Sequence, residues 1–143
     1  MKAGFSNLLT ALLPLDVEVC LHRQGRLSLE AFLQQPYQKD LLTHVFISKN
    51  ALNPKHLSLH SSASDLPIVA AACATVGTQW RLAVGARPAK AQRLIFERHS
   101  LSLDQVEAAI KSKLVFGDNS RASASYRQAM ALVLVKRLME EEV

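Results

Sequence analysis

The chain has 143 residues, the length of one ordinary domain, and its 49% hydrophobic and 20% charged residues exclude disorder along most of it. Seventeen Lys and Arg stand against twelve Asp and Glu, a net charge of +5. The two cysteines, Cys20 and Cys73, are too few for a disulfide framework, a Cys-rich metal site or an iron–sulfur cluster, which takes about four thiolates.

Leu8, Leu9, Leu12 and Leu13 fall on one face of a short helix that Pro14 ends. Over residues 16–22, Val17, Val19 and Leu21 alternate with Glu18, Cys20 and His22, the pattern of a half-buried strand. Gln24-Gly25 makes a turn, residues 26–29 return as a short strand, and Ser28 opens a short helix over 29–34 before Pro36. Residues 41–48 read as a second strong strand, with Leu41, Thr43, Val45 and Ile47 against Leu42, His44 and Phe46. Asn53-Pro54 predicts a turn, and residues 56–62 alternate around Leu57 and Leu59. The small and β-branched run over 66–76 predicts a strand buried on both faces, returning through Gly77-Thr78 into 80–84.

After Pro88, the spacing of Ala91, Leu94 and Ile95 predicts a helix over 89–98. Ser102-x-x-Gln105 is a capping box, and Leu103, Val106, Ile110 and Leu114 form the stripe of the helix behind it. Gly117 ends that helix, and Asp118, Asn119 or Ser120 can cap the last one. Its expected core stripe is Tyr126, Met130, Val133, Leu134 and Leu138, with Arg127, Lys136 and Arg137 on the wet side. Strands followed by helices imply an α+β fold, an antiparallel β-sheet packed against a C-terminal three-helix bundle.

The residues carry little self-sufficient chemistry. His56 and His60 have the helical metal spacing, but on a strand they lie roughly 13 Å apart, so no metal site is expected. No nucleophile elbow, G-x-G-x-x-G loop or Walker sequence occurs, and no catalytic residue is expected. Cys73 reads as a small core residue and Asp104 and Glu107 as a solvated helix surface. Lys and Arg run from Lys2 to Arg137, with a mild concentration of Arg81, Arg87, Lys90, Arg93 and Arg98 around Glu97. Without a polybasic run interleaved with aromatics, no nucleic-acid partner is expected. The longest apolar run, 66–76, is about half of the roughly 20 residues a membrane helix needs. The apolar stretch after Lys2 runs into Asp16 and Glu18 without a small-x-small cleavage site, so a cytoplasmic chain without a membrane partner is expected.

Residues 118–127 (DNSRASASYR), followed by 131–137 (ALVLVKR), resemble a C-terminal signature of one family. That family is the FAD-binding (medium) subunit of the molybdenum hydroxylases, of xanthine dehydrogenase and carbon monoxide dehydrogenase type. Its pattern is D-x-R-x-S-A-x-Y-R and then an apolar helix ending V-L-x-x-R; this chain has one extra residue between the Asp and the Arg. Residues 64–72 (SDLPIVAAA) resemble the family's D-L/F-P-x-V-x-x-A-A strand, and 80–88 (WRLAVGARP) the R-x-A-x-G-G-V-A-x-x-P strand after it. Residues 40–43 (DLLT) resemble G-E-L-L-T, and Ser6-Asn7-Leu8 through Val19 resembles S-D-L-x-P-A-L-L-A-L-D-A-E-V.

The resemblance covers nearly the whole chain and implies a partial flavoprotein subunit. Residues 1–39 would be a remnant of the middle FAD-binding lobe, and 40–143 the C-terminal lobe of the carbon monoxide dehydrogenase flavoprotein. It implies FAD as the cofactor of the intact family and a molybdenum-cofactor subunit and an iron–sulfur subunit as partners. Electrons there pass from the iron–sulfur clusters through FAD to NAD or another acceptor. The family's glycine-rich G-G-G/H-T/S-x-L and T-x-G-G-N segments, whose backbone N–H groups hold the diphosphate, do not occur in these 143 residues. FAD binding by this chain alone is therefore expected to be weak or absent. Carried over by position, the cofactor-binding residues are Asn7, where the family has Asp, and Leu41 and Leu42, one of which would pack on the isoalloxazine ring. The family's Lys ahead of the Ser64-Asp65 strand falls near Leu57 or Ser58, which cannot replace it. The alternative is a non-catalytic interaction module or homo-oligomer that has lost flavin binding.

Overall fold

Ser6 accepts the backbone N–H of Leu9 at 3.2 Å and so opens α1 (Asn7–Leu12), satisfying a first-turn donor that the helix itself cannot. The computed structural model describes residues 6–36 and 39–140. Beyond α1 the chain enters β1 (Val17–Leu21), turns, and pairs back antiparallel as β2 (Gly25–Ser28). The alternation in β1 buries Val17, Val19 and Leu21, as its sequence predicts. Ser28 caps α2 (Leu29–Gln34) by accepting the N–H of Ala31 at 3.2 Å. β3 (Leu42–Ile47) pairs antiparallel with the other side of β1, giving the sheet order β2-β1-β3. Leu9, Leu12, Leu13, Val17, Val19, Leu29 and Leu33 bury together as the core of this part.

A second sheet is an antiparallel meander of β4 (Leu52–Leu59), β5 (Val69–Val76), β6 (Gln79–Gly85) and β7 (Gln92–Glu97), in that order. Gly77, at φ +60°, supplies the left-handed residue of the tight β5–β6 turn. β5 is buried on both faces, as expected, because α1 packs against β5 and β6 while the last helix packs against β5 and β4. Its alanines let both helices approach. The larger core gathers Val69, Cys73, Trp80, Leu82 and Val84 of the sheet against α3 (Leu103–Lys113) and α4 (Ala124–Glu140). Ser102 caps α3 by accepting the N–H of Gln105, and Val106, Ile110 and Leu114 are buried along the predicted stripe.

The α+β class with antiparallel sheets stands, and several local expectations are corrected. Residues 89–98 are not a helix but β7, followed by a 3-10 turn over Arg98–Ser100. Pairing with the open edge of β6 satisfies a full row of backbone donors and acceptors, and this outweighs a weak helical spacing. Two helices, not three, therefore cover the sheet's outer face. Asn53-Pro54 is not a free turn but an irregularity at the start of β4, where the register with β5 shifts and Asn53 takes φ +48°. The cap of α4 is Ser123, whose Oγ accepts the N–H of Tyr126 at 3.2 Å, although Asp118 still receives the N–H of Ala124 at 2.7 Å. The buried stripe of α4 runs through Arg127, Ala131, Leu134, Val135 and Leu138, rotated from the expected one, so Tyr126 and Val133 are exposed. Arg127 is fully buried, not solvated.

Candidate functional site

The 118–127 segment explains itself as a clamp. Asn119 Oδ1 accepts the N–H groups of Arg121 and Ala122 at 3.0 and 3.2 Å and Arg127 Nη2 at 2.6 Å. Arg127 Nη1 donates to the main-chain carbonyls of Ile68 and Ala86. Arg121 donates to the carbonyl of Leu66 and pairs with Asp65. The Arg121 hydrogen bond, with the N–H of Leu66, holds the Asp65 carboxyl below its ordinary value. Together these side chains tie the loop before α4 to the start of β5 and the end of β6. Their hydrogen-bonding groups go to main chain and to each other.

The residues expected at the flavin lie in three settings. Leu41 is 67% exposed and lines a hollow of about 240 Å³ with His22, Arg23, Lys39 and Asp40. Asp40 holds the rim by accepting the N–H groups of Arg23 at 3.2 Å and Leu41 at 2.8 Å. Leu42 is half-buried, sits opposite Leu21, and packs on the core of α1 and α2. Asn7 opens α1, and its Oδ1 is buried without a hydrogen-bond donor among the described residues. Neither Asn7 nor Leu42 lines the hollow of Leu41. His60 is engaged by Ser58 Oγ at 2.9 Å and the carbonyl of Asp65 at 2.8 Å. Among the described residues no three His, Cys, Asp or Glu side chains cluster as a metal site, and no helix is long and apolar enough to cross a membrane.

A larger cavity, about 590 Å³, opens between α2, residues 87–93 and Val115. Arg87 reaches its wall from just before, and Lys90 and Arg93 from within, the segment expected to be a helix. Arg93 bonds Glu30 at 2.6 Å and the carbonyl of Leu13 at 3.3 Å. Lys90 Nζ donates to the carbonyl of Leu33 at 2.9 Å. Arg87 donates to the carbonyls of Val115 and Lys90. The mild concentration of cations over 81–98 is the sequence signal for this wall, but their convergence depends on β7 being a strand.

The architecture has known counterparts. A chain in the crystal structure of quinoline 2-oxidoreductase from Pseudomonas putida 86 shares it, with a TM-score of 0.77 and 15% identity. The alignment covers 98% of this chain and 56% of that one. A chain of carbon monoxide dehydrogenase from Hydrogenophaga pseudoflava, in a form lacking the Mo-pyranopterin moiety of the molybdenum cofactor, matches with a TM-score of 0.74 and 16% identity. There the coverage is 97% of this chain and 56% of the other. The present chain thus spans just over half the length of each counterpart. No family model matches it, and no curated protein matches it in sequence.

Proposed function

We propose that the chain is part of the FAD-binding subunit of a molybdenum-hydroxylase-type oxidoreductase, without activity by itself. The observation that carries this reading is the end-to-end match in fold, 98% and 97% of this chain, to chains of two oxidoreductases. The sequence signatures over 6–19, 40–43, 64–72, 80–88 and 118–137 support it in the same order. In this reading residues 1–39 belong to a middle FAD-binding lobe and 40–143 to the C-terminal lobe. The partners are a molybdenum-cofactor subunit and an iron–sulfur subunit. When bound, FAD would accept electrons from the iron–sulfur clusters and pass them to NAD or another acceptor.

The residues fit a limited share of that cofactor. The unpartnered Oδ1 of Asn7 can accept a hydrogen bond, and the exposed Leu41 offers an apolar face beside His22 and the cations Arg23 and Lys39. Leu42 would position Leu41 by anchoring the start of β3 in the core. Backbone amides for the diphosphate must come from glycine-rich sequence outside these residues. The test is a titration of FAD fluorescence with the purified chain. Weak, saturable quenching that Leu41→Asp and Asn7→Ala each diminish is expected. Quenching that never saturates, or that ignores both substitutions, overturns the assignment of these residues.

A second reading rests on one specific observation. Val45, Phe46 and Ile47 are 40–52% exposed on β3, an edge strand of the first sheet. An apolar edge of this kind favours strand pairing with another chain. In this reading the chain is an interaction module or homo-oligomer. Sedimentation at several concentrations separates the two: a dimer abolished by Val45→Lys, with no flavin quenching, favours the module.

A further inference from the structure

We propose that the cavity between α2 and residues 87–93 binds a small organic anion, a carboxylate or phosphate ester with an apolar body. Its volume of about 590 Å³ lies within the roughly 300–1,000 Å³ of small-molecule sites. Leu13, Leu33 and Val115 supply apolar wall, and Arg87, Lys90 and Arg93 supply charge. Glu30 is the carboxylate of that lining, and Arg93 already holds it at 2.6 Å. Three cations against one acid leave the wall two positive charges in excess.

Arg87 makes that excess expensive. It is 3% exposed, and its Nη groups donate only to the carbonyls of Val115 and Lys90. Its Nε has no acceptor, and among the described residues it has no carboxylate. Carbonyl oxygens satisfy donors but bring no opposite charge, and a desolvated cation without one is unfavourable. Burial accordingly pushes the Arg87 guanidinium below its ordinary value. Lys90 is similar, with only the carbonyl of Leu33 on its ammonium, but it is exposed at the rim. An anion entering beside these groups supplies the missing charge, while the leucines and Val115 meet its apolar body. The inference stands apart from the flavin reading, which concerns Asn7, Leu41 and Leu42.

The experiment is an NMR titration of the full chain, at low ionic strength, with benzoate, phenyl phosphate and inorganic phosphate. Saturable amide shifts confined to residues 30–34, 87, 89–93 and 115 are expected with an organic anion. The organic anions should bind about tenfold more tightly than inorganic phosphate, because only they bury apolar surface. A preference for benzoate assigns carboxylates, and a preference for phenyl phosphate assigns phosphate esters. Arg87→Met risks unfolding, so the charge test uses the exposed positions: Lys90→Glu and Val115→Glu should each weaken binding about fivefold. Shifts elsewhere in the chain, no saturation, phosphate binding as tight as the organic anions, or indifference to both substitutions overturns the proposal.

Discussion

Asn119 and Arg127 meet at 2.6 Å, side-chain oxygen to guanidinium, across the start of α4. Asn119 Oδ1 also takes two backbone N–H groups of its own loop, so one amide oxygen fixes both the loop and the arginine. The arginine in turn binds the carbonyls of Ile68 and Ala86, which belong to segments 59 and 41 residues away. A buried cation thus replaces the missing sheet partners of two strand ends.

Arg127→Met should destabilise the fold by about 3 kcal/mol, because buried carbonyls lose their donors. Arg127→Lys should recover only a small part, since a lysine cannot span three acceptors with one planar fork. Urea unfolding followed by the fluorescence of Trp80, the single tryptophan and fully buried, measures both. An unchanged midpoint for Arg127→Met would remove the clamp from the account.

Gly85 allows α1 to lie on β6. A Cβ there would stand 1.9 Å from Thr10 Oγ1 and 3.2 Å from the Cβ of Ala91. Gly85→Ala should cost about 2 kcal/mol through overpacking. In a Thr10→Ala background the cost should fall by about 1 kcal/mol, a coupling that a double-mutant cycle reads directly. Additive effects would mean that the two elements shift apart rather than collide.

Ser123→Ala should cost about 1 kcal/mol as the loss of a helix cap. Ser120→Ala, two residues beyond Asp118, should stay within about 0.5 kcal/mol. Thermal melts of the two variants compare the observed cap with a neighbouring serine that the sequence offers as a cap candidate. Equal losses would deny Ser123 the role.

Asp16 gives the acid side of the stability profile a specific cause. Hydrogen bonds from Arg81 and Asn50 hold its carboxyl below the ordinary aspartate value of 3.8. A depressed folded value contributes stability that is present above the unfolded value and is lost as pH falls through the folded one. Asp16→Asn should therefore lower stability at neutral pH and flatten the pH dependence below about pH 4. A parallel acid limb in wild type and variant would contradict this.

The N-terminal elements were legible because local rules and tertiary packing agree there. Ser28 caps the helix it was expected to open, and the period of Val17, Val19 and Leu21 is the period of the buried face. The Gly77 turn and the stripe of Val106, Ile110 and Leu114 were legible for the same reason. Residues 89–98 were not, because Ala91, Leu94 and Ile95 suit a helix face while the vacant edge of β6, invisible in sequence, makes them a strand. Leu41 lines an open hollow while Asn7 and Leu42 stand outside it, a separation that the order of residues does not carry.

By itself the sequence determined the α+β class, the absence of glycine-rich diphosphate loops within these residues, and the order of the motifs. These depend on composition, period and spacing, which every short segment carries alone. Only the tertiary structure decided that Arg127 is buried and that Arg87, Lys90 and Arg93 share a cavity wall. An arginine on a helix reads as solvated until backbone carbonyls from distant strands arrive to receive it. Those carbonyls are positioned by β5 and β6, far away in the chain, and they satisfy the guanidinium N–H groups that burial takes out of water.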